Sequence, residues 1–408
     1  MYPYKGLSKE LYILFISRII NSMGTFVFPM LAFILTQKIG FTKGQAGSFI
    51  TLLAISQVPG MLIGGKLVDS FGRKKIIVIF QGLGAICYLI CAFLKPSIII
   101  AIIIIIASSF YGMASPAFDA VSADLTTVKN RKGAFSLLYM GHNIGFSIAS
   151  VVGGILYKKY LPLIFIGDAI TTILSITLFA VFIKETMNKQ SEEKQPLVQA
   201  INLEQDEEGS VIKVLLKRPI LLYFALIMFV YQFAYSQWGF TLPLQMGDVF
   251  GSNGAKFYGF LGAFNGAIVI IFTPIVTNLI HKLNPMRAMA YGGFLYAIAF
   301  GMLAFINNLY FYFGSIFILT IGEIIIAINN GTFVANHTPA SHRGRINSIL
   351  PIITGSGFAL GPVIMGSVMQ SKGHVITWTI ISLLVMVAGV LMIVLELKDK
   401  KANLVNKI

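Results

Sequence analysis

Long apolar runs, interrupted at short intervals by glycine and charge, make up most of this chain. Each run is about 20 to 27 residues long, the length a helix needs to cross a hydrocarbon core about 30 Å thick. The alternation over about 10 residues that marks a membrane-barrel strand is absent. The pattern predicts spans near 11–36, 45–66, 75–94, 97–120, 134–157 and 161–184, then 219–246, 256–280, 286–307, 309–331, 346–370 and 374–395. Residues 185–218 break it with the acidic run Glu204-Gln205-Asp206-Glu207-Glu208. The expected organisation is a six-helix bundle over 1–184, a cytoplasmic linker over 185–218 and a second six-helix bundle over 219–408. The fold class is an all-α membrane protein with twelve transmembrane helices in two pseudo-repeats.

Composition agrees with that solvent: 56% of the 408 residues are hydrophobic and 12% charged, against about 25% charged in soluble domains. The net charge of +15 is set by topology. With the N-terminus inside, 23 Lys and Arg fall in cytoplasmic segments, 7 in outer loops, and Arg18 within a span. This positive-inside asymmetry predicts both termini in the cytoplasm of a plasma membrane, bacterial in character, and no nucleic-acid partner. The first run contains Arg18 and is too long for a signal-peptide core. Cys87 and Cys91, four apart, read as small residues of a membrane helix rather than a redox pair. There is no phosphate-binding G-x-x-x-x-G-K-[ST] loop, no metal-spaced His/Cys cluster and no enzyme site. The lipid bilayer is the expected partner, no cofactor is expected, and the chain reads as a monomer.

The halves repeat. A shift of 212 residues brings Thr126 onto Thr338, Arg131 onto Arg343, Ser136 onto Ser348, Gly145 onto Gly357, Phe146 onto Phe358 and Gly154 onto Gly366. At the same offset the polar stretch Gly64-Gly65-Lys66-Leu67-Val68-Asp69-Ser70-Phe71-Gly72-Arg73-Lys74-Lys75 falls on a degenerate copy, with His281 for Asp69 and Asn284 for Gly72. That stretch resembles the loop between the second and third helices of the major facilitator superfamily, G-x-L-x-D-R-x-G-R-R/K. Gly65, Leu67, Asp69, Gly72, Arg73 and Lys74 match it, and Ser70 replaces an Arg. Two parallel six-helix repeats are that superfamily's arrangement. Within it, the chain is most similar in motifs to proton-coupled multidrug exporters of the lactococcal type. The resemblance implies a transporter working by alternating access, with a small-molecule substrate and protons as partners and a proton gradient as the driving force. It also implies that Gly65, Asp69, Gly72, Arg73, Lys74, Asp124 and Arg131 form a cytoplasmic gate.

Ionisable side chains are costly in hydrocarbon, so each is a functional candidate. Glu323, in Leu319-Thr320-Ile321-Gly322-Glu323-Ile324-Ile325, lies about two-thirds along the tenth span. A carboxylate there can exchange a proton near neutral pH; the alternative is a Glu satisfied by a neighbouring helix. Its setting resembles the tenth helix of the exporters, which implies a role in substrate binding and proton coupling. Arg18, Asn21, Ser22 and Thr25 share one polar face of the first span. Arg18 either binds an anionic substrate or pairs with Asp119 or Glu323. Asp168 reads as structural, because sixth helices of the superfamily lie outside the cavity. Cavity-lining candidates are His142 and Asn143 on the fifth span, Tyr231, Tyr235 and Trp238 on the seventh, Asn265 and Asn330; packing is the alternative for the aromatic set. Aromatic faces with one acid suit cations of drug size.

The family's fifth-helix pattern G-x-x-x-G-P-x-x-G-G lacks its Pro here; G-x-x-x-G-P instead occurs at Gly357–Pro362. Ser108 stands where proton antiporters carry an Arg, and Leu138 and Gly239 stand where the lactococcal exporter carries acids. Fewer acids imply fewer protons per cycle or another driving force. The leading expectation is proton-coupled efflux of amphipathic or cationic small molecules. The alternatives are transport of a polar or anionic metabolite on Arg18, and lipid flipping on the same scaffold.

Overall fold

The computed structural model describes residues 7–126, 130–186, 219–337 and 343–405, without the side chains of Asp69, Arg131, Lys132 and residues 335, 336, 343–349 and 401–405. The linker reading therefore falls mostly outside the described residues. The first span comprises α1 (Lys9–Met23), α2 (Val27–Phe33) and a π-helical turn (Ile34–Ile39). There follow α3 (Lys43–Phe71), α4 (Arg73–Phe93), α5 (Ile98–Asp124), α6 (Arg131–Leu156) and α7 (Leu161–Phe182). The later helices are α8 (Pro219–Gly239), α9 (Thr241–Phe250), α10 (Gly254–Ile280), α11 (Pro285–Leu303), α12 (Leu309–His337) and α13 (Arg343–Val405). Among the described residues, ten stretches are long and apolar enough to cross a membrane. Two are of double length: Pro219–Ile280, and Leu350–Lys400, which bends at Gly373 with φ +77°. Each of those has room for two crossings, so the twelve predicted spans are accommodated.

The described residues fall into two compact units. The first holds those up to 186 together with Pro243–Ile270; the second holds those from 219 to Leu242 and from Ile271 onward. Packing thus groups Pro243–Ile270 with the first six spans, although a cut at the linker counts it with the last six. Gly154 and Gly259 let α6 and α10 meet backbone to backbone, at Ala255 and Ser150. Lys43 forms an ion pair with Asp248, and the Tyr157 hydroxyl donates to the Phe33 carbonyl at 2.9 Å.

Two local features differ from the sequence reading. The first span is a broken helix: α1 stops at Met23, and Gly24 lies so close to α7 that a Cβ there would collide with the Thr171 side chain. The stretch around Asp69 is also no loop. Helix α3 continues to Phe71, so Gly65 and Asp69 are helical, and Gly72 alone links α3 to α4. Its φ of +90° is open to glycine and nearly closed to L side chains.

Candidate functional site

Three clusters of polar side chains arise from this framework. The first gathers at the start of α4, whose leading N–H groups have no partner within the helix. The Arg73 and Lys74 N–H groups donate to the two carboxylate oxygens of Glu185, each at 3.0 Å. An anion at a helix N-terminus gains from both the hydrogen bonds and the dipole. A Cβ on Gly72 would press into that carboxylate. The Arg73 side chain, 8% exposed, meets Asp124, 5% exposed, with Nε to Oδ2 at 3.3 Å. The Thr186 hydroxyl donates to the same Oδ2 at 2.7 Å. Of the predicted gate residues, the structure therefore joins Gly72, Arg73, Lys74 and Asp124. Gly65 lies apart in open space. The side chains of Asp69 and Arg131 are outside the described residues.

Glu185 was missed in the sequence because it is the first residue of a polar segment that reads as linker. The repeat could have exposed it. In the second unit Glu396, fully buried, pairs with Arg287 at 2.9 Å and Lys400 at 2.8 Å. Glu396 stands at nearly the same offset from Glu185 as Arg287 from Arg73. The second copy is simpler, since Asn336 occupies the place of Asp124.

The second cluster lines a pocket of about 210 Å³ that contains Arg18, Asp119, Ser122, Tyr139 and His142. Arg18 and Asp119 attract each other across it without a direct ion pair. His142 bonds through Nδ1 to the Ser22 hydroxyl at 2.9 Å. Asn143 is spent on its own helix, donating to the Tyr139 carbonyl at 2.9 Å. The polar face expected on the first span divides: Arg18 lines this pocket and Ser22, buried, bonds to His142, whereas Asn21 donates to Thr172 Oγ1 on α7 at 3.4 Å. Helical spacing is the reason: residues four apart share a face, so Ser17 and Asn21 turn toward α7 while Arg18 and Ser22 turn the other way.

Glu323 centres the third cluster. It is half-buried on α12, and its Oε1 accepts from the Tyr235 hydroxyl at 3.0 Å. Gly322 lets α12 approach the Gly292 carbonyl on α11. The Tyr235 ring stacks on Tyr296 at 6.2 Å, Tyr296 meets Phe300 edge-on, and Phe300 stacks on Trp378 at 5.5 Å. Tyr296, Phe300 and Trp378 are buried, so the column is core packing behind Tyr235. The half-buried Tyr235 ring and Glu323 carboxylate are the parts left to meet a solute, an aromatic face beside an acid as an organic cation requires. Tyr231 is corrected from cavity lining to core: it is 1% exposed, and its hydroxyl donates to the Met289 carbonyl at 3.3 Å. Trp238 and Asn265 are likewise buried, for α8 and α10 turn those faces into their own units. Asn330 is half-buried, seven residues beyond Glu323.

Paired helical units with ionisable groups held among membrane helices define a multi-pass transporter rather than an enzyme. The Major Facilitator Superfamily family model matches residues 14–350, and the chain belongs to that superfamily. It is similar to a "Na(+), Li(+), K(+)/H(+) antiporter" of Planococcus maritimus, 23% identical, covering 88% of this chain and 92% of that one. "Multidrug resistance protein 2" of Bacillus subtilis is 26% identical, covering 67% of this chain and 66% of that one. A crystal structure of the peptide transporter POT with alafosfalin shares the fold, with a TM-score of 0.77 at 16% identity over 97% of this chain and 96% of that chain.

Proposed function

We propose that this transporter exports amphipathic, cationic small molecules in exchange for protons, with Glu323 as the acid that alternates between proton and solute. The carrying observation is the half-buried Glu323 carboxylate held by Tyr235 at the end of an aromatic column. Arg18, Asp119 and His142 form an accessory polar pocket, and Arg73 with Asp124 stiffens the cytoplasmic end of the first bundle during the conformational cycle. The protein works as a monomer in the plasma membrane with both termini cytoplasmic. The relative named as a drug-resistance protein supports efflux; Glu323 with Tyr235 supports a cationic cargo.

The test is transport in proteoliposomes under an imposed pH gradient. Wild-type protein should accumulate a cationic dye against its gradient, and Glu323→Gln should lose that accumulation. Equal dye transport by Glu323→Gln would sink the proposal. A second reading, exchange of alkali cations for protons, draws on the relative named for that activity. Sodium-dependent proton movement in the same vesicles, without dye transport, would favour it.

A further inference from the structure

We propose that the first unit encloses a binding site for a monovalent alkali cation, with Asp168 as its anionic ligand. A cavity of about 240 Å³ lies within this unit, and Asn21, Gln57, Gln81, Tyr111, Asp168 and Thr172 line it from α1, α3, α4, α5 and α7. Asp168 is 5% exposed. Among the described residues no Lys, Arg or His lines the cavity, and no ion pair reaches Asp168. Its Oδ2 accepts the Val27 N–H at 3.4 Å, which caps the start of α2 but supplies no full positive charge. A buried carboxylate without a counter-charge is costly to ionise, so it holds either a proton or a cation, and the two compete for one site.

A further polar atom in the same wall, Gln81 Oε1, has no hydrogen-bond partner, and the Tyr111 hydroxyl pairs with Thr172 beside it. A buried acceptor left unmatched costs about 1–3 kcal/mol. One carboxylate, an unmatched amide oxygen, neighbouring hydroxyls and no basic side chain are the ligand set of a hard cation bound through oxygen. A single negative charge matches a single positive one. The space admits the ion with part of its water.

The site belongs to the unit that lacks Glu323, so it stands whatever solute that acid handles. A structural role for Asp168 as a helix cap does not explain the unmatched Gln81 oxygen beside it. The substitution Asp168→Asn separates the two roles, because it keeps an acceptor for the Val27 N–H and removes the charge.

Equilibrium binding of radioactive sodium to the purified full chain in detergent tests the proposal, with unlabelled sodium, lithium and potassium as competitors. Wild-type protein should bind about one ion per chain saturably. Asp168→Asn and Gln81→Leu should each weaken binding by about tenfold or more, the loss expected for one buried ligand. Should Asp168→Asn fail to fold, the wild-type isotherm and Gln81→Leu decide. No saturable binding by the wild type overturns the proposal, as does unchanged binding in the variants that fold. Binding lost in Glu323→Gln but kept in Asp168→Asn would put the ion in the other unit and also overturn it.

Discussion

Gly72 and Tyr235 show how much single side chains decide. Gly72 combines φ +90° with a carboxylate where a Cβ would lie. Gly72→Ala should therefore cost about 1–3 kcal/mol, seen as a lower melting temperature in detergent. Tyr235→Phe removes the hydroxyl that donates to Glu323 and leaves the ring to stack on Tyr296. Its expected signature is proton-coupled dye transport slowed severalfold, from loss of about 1 kcal/mol, at normal expression and thermal stability. Dye transport at the wild-type rate would mean that this hydrogen bond is incidental. Glu323 was legible in the sequence because an acid among isoleucines stands out. Its partner was one of several tyrosines on α8, and only packing separated the half-buried Tyr235 from the core Tyr231.

At the scale of elements, the junction of α3, α4, α5 and the end of α7 is held by charge at a helix start. Arg73 is nearly buried against Asp124, so removing one partner strands the other. Asp124→Asn should destabilise the protein by about 3–5 kcal/mol if the pair stays dry. Glu185→Gln should cost less, about 1 kcal/mol, since it keeps one oxygen for the α4 N–H groups while losing the charge. Thermal unfolding of both variants tests that order, and a larger loss for Glu185→Gln would reverse the assignment of the main clamp. The spans themselves were readable from apolar length. Their ends were not: α3 runs on through Asp69 because polar residues at a membrane boundary can stay helical.

For the whole molecule, the prediction concerns sidedness. With Cys87 and Cys91 replaced by Ala, a single cysteine at Asn253 should react with a membrane-impermeant thiol reagent added to intact cells. A cysteine at Lys282 should react only after the cells are opened. Both positions are exposed in the fold, so differential labelling reports topology rather than burial. The reverse pattern would invert the orientation that the basic loops predict.

The sequence by itself determined the membrane class, the repeated halves and the candidate acids, because hydrocarbon imposes a length on every span and a penalty on every charge. Both act residue by residue along the chain and need no knowledge of neighbours. Only the tertiary structure decided which polar groups meet. It brought Glu185 to the N-terminus of α4, broke the first span beside Gly24, and gathered Asp168, Gln81 and Tyr111 around one cavity. Hydrogen bonds and ion pairs act over a few ångströms, and residues more than a hundred positions apart reach that range only after the helices have packed.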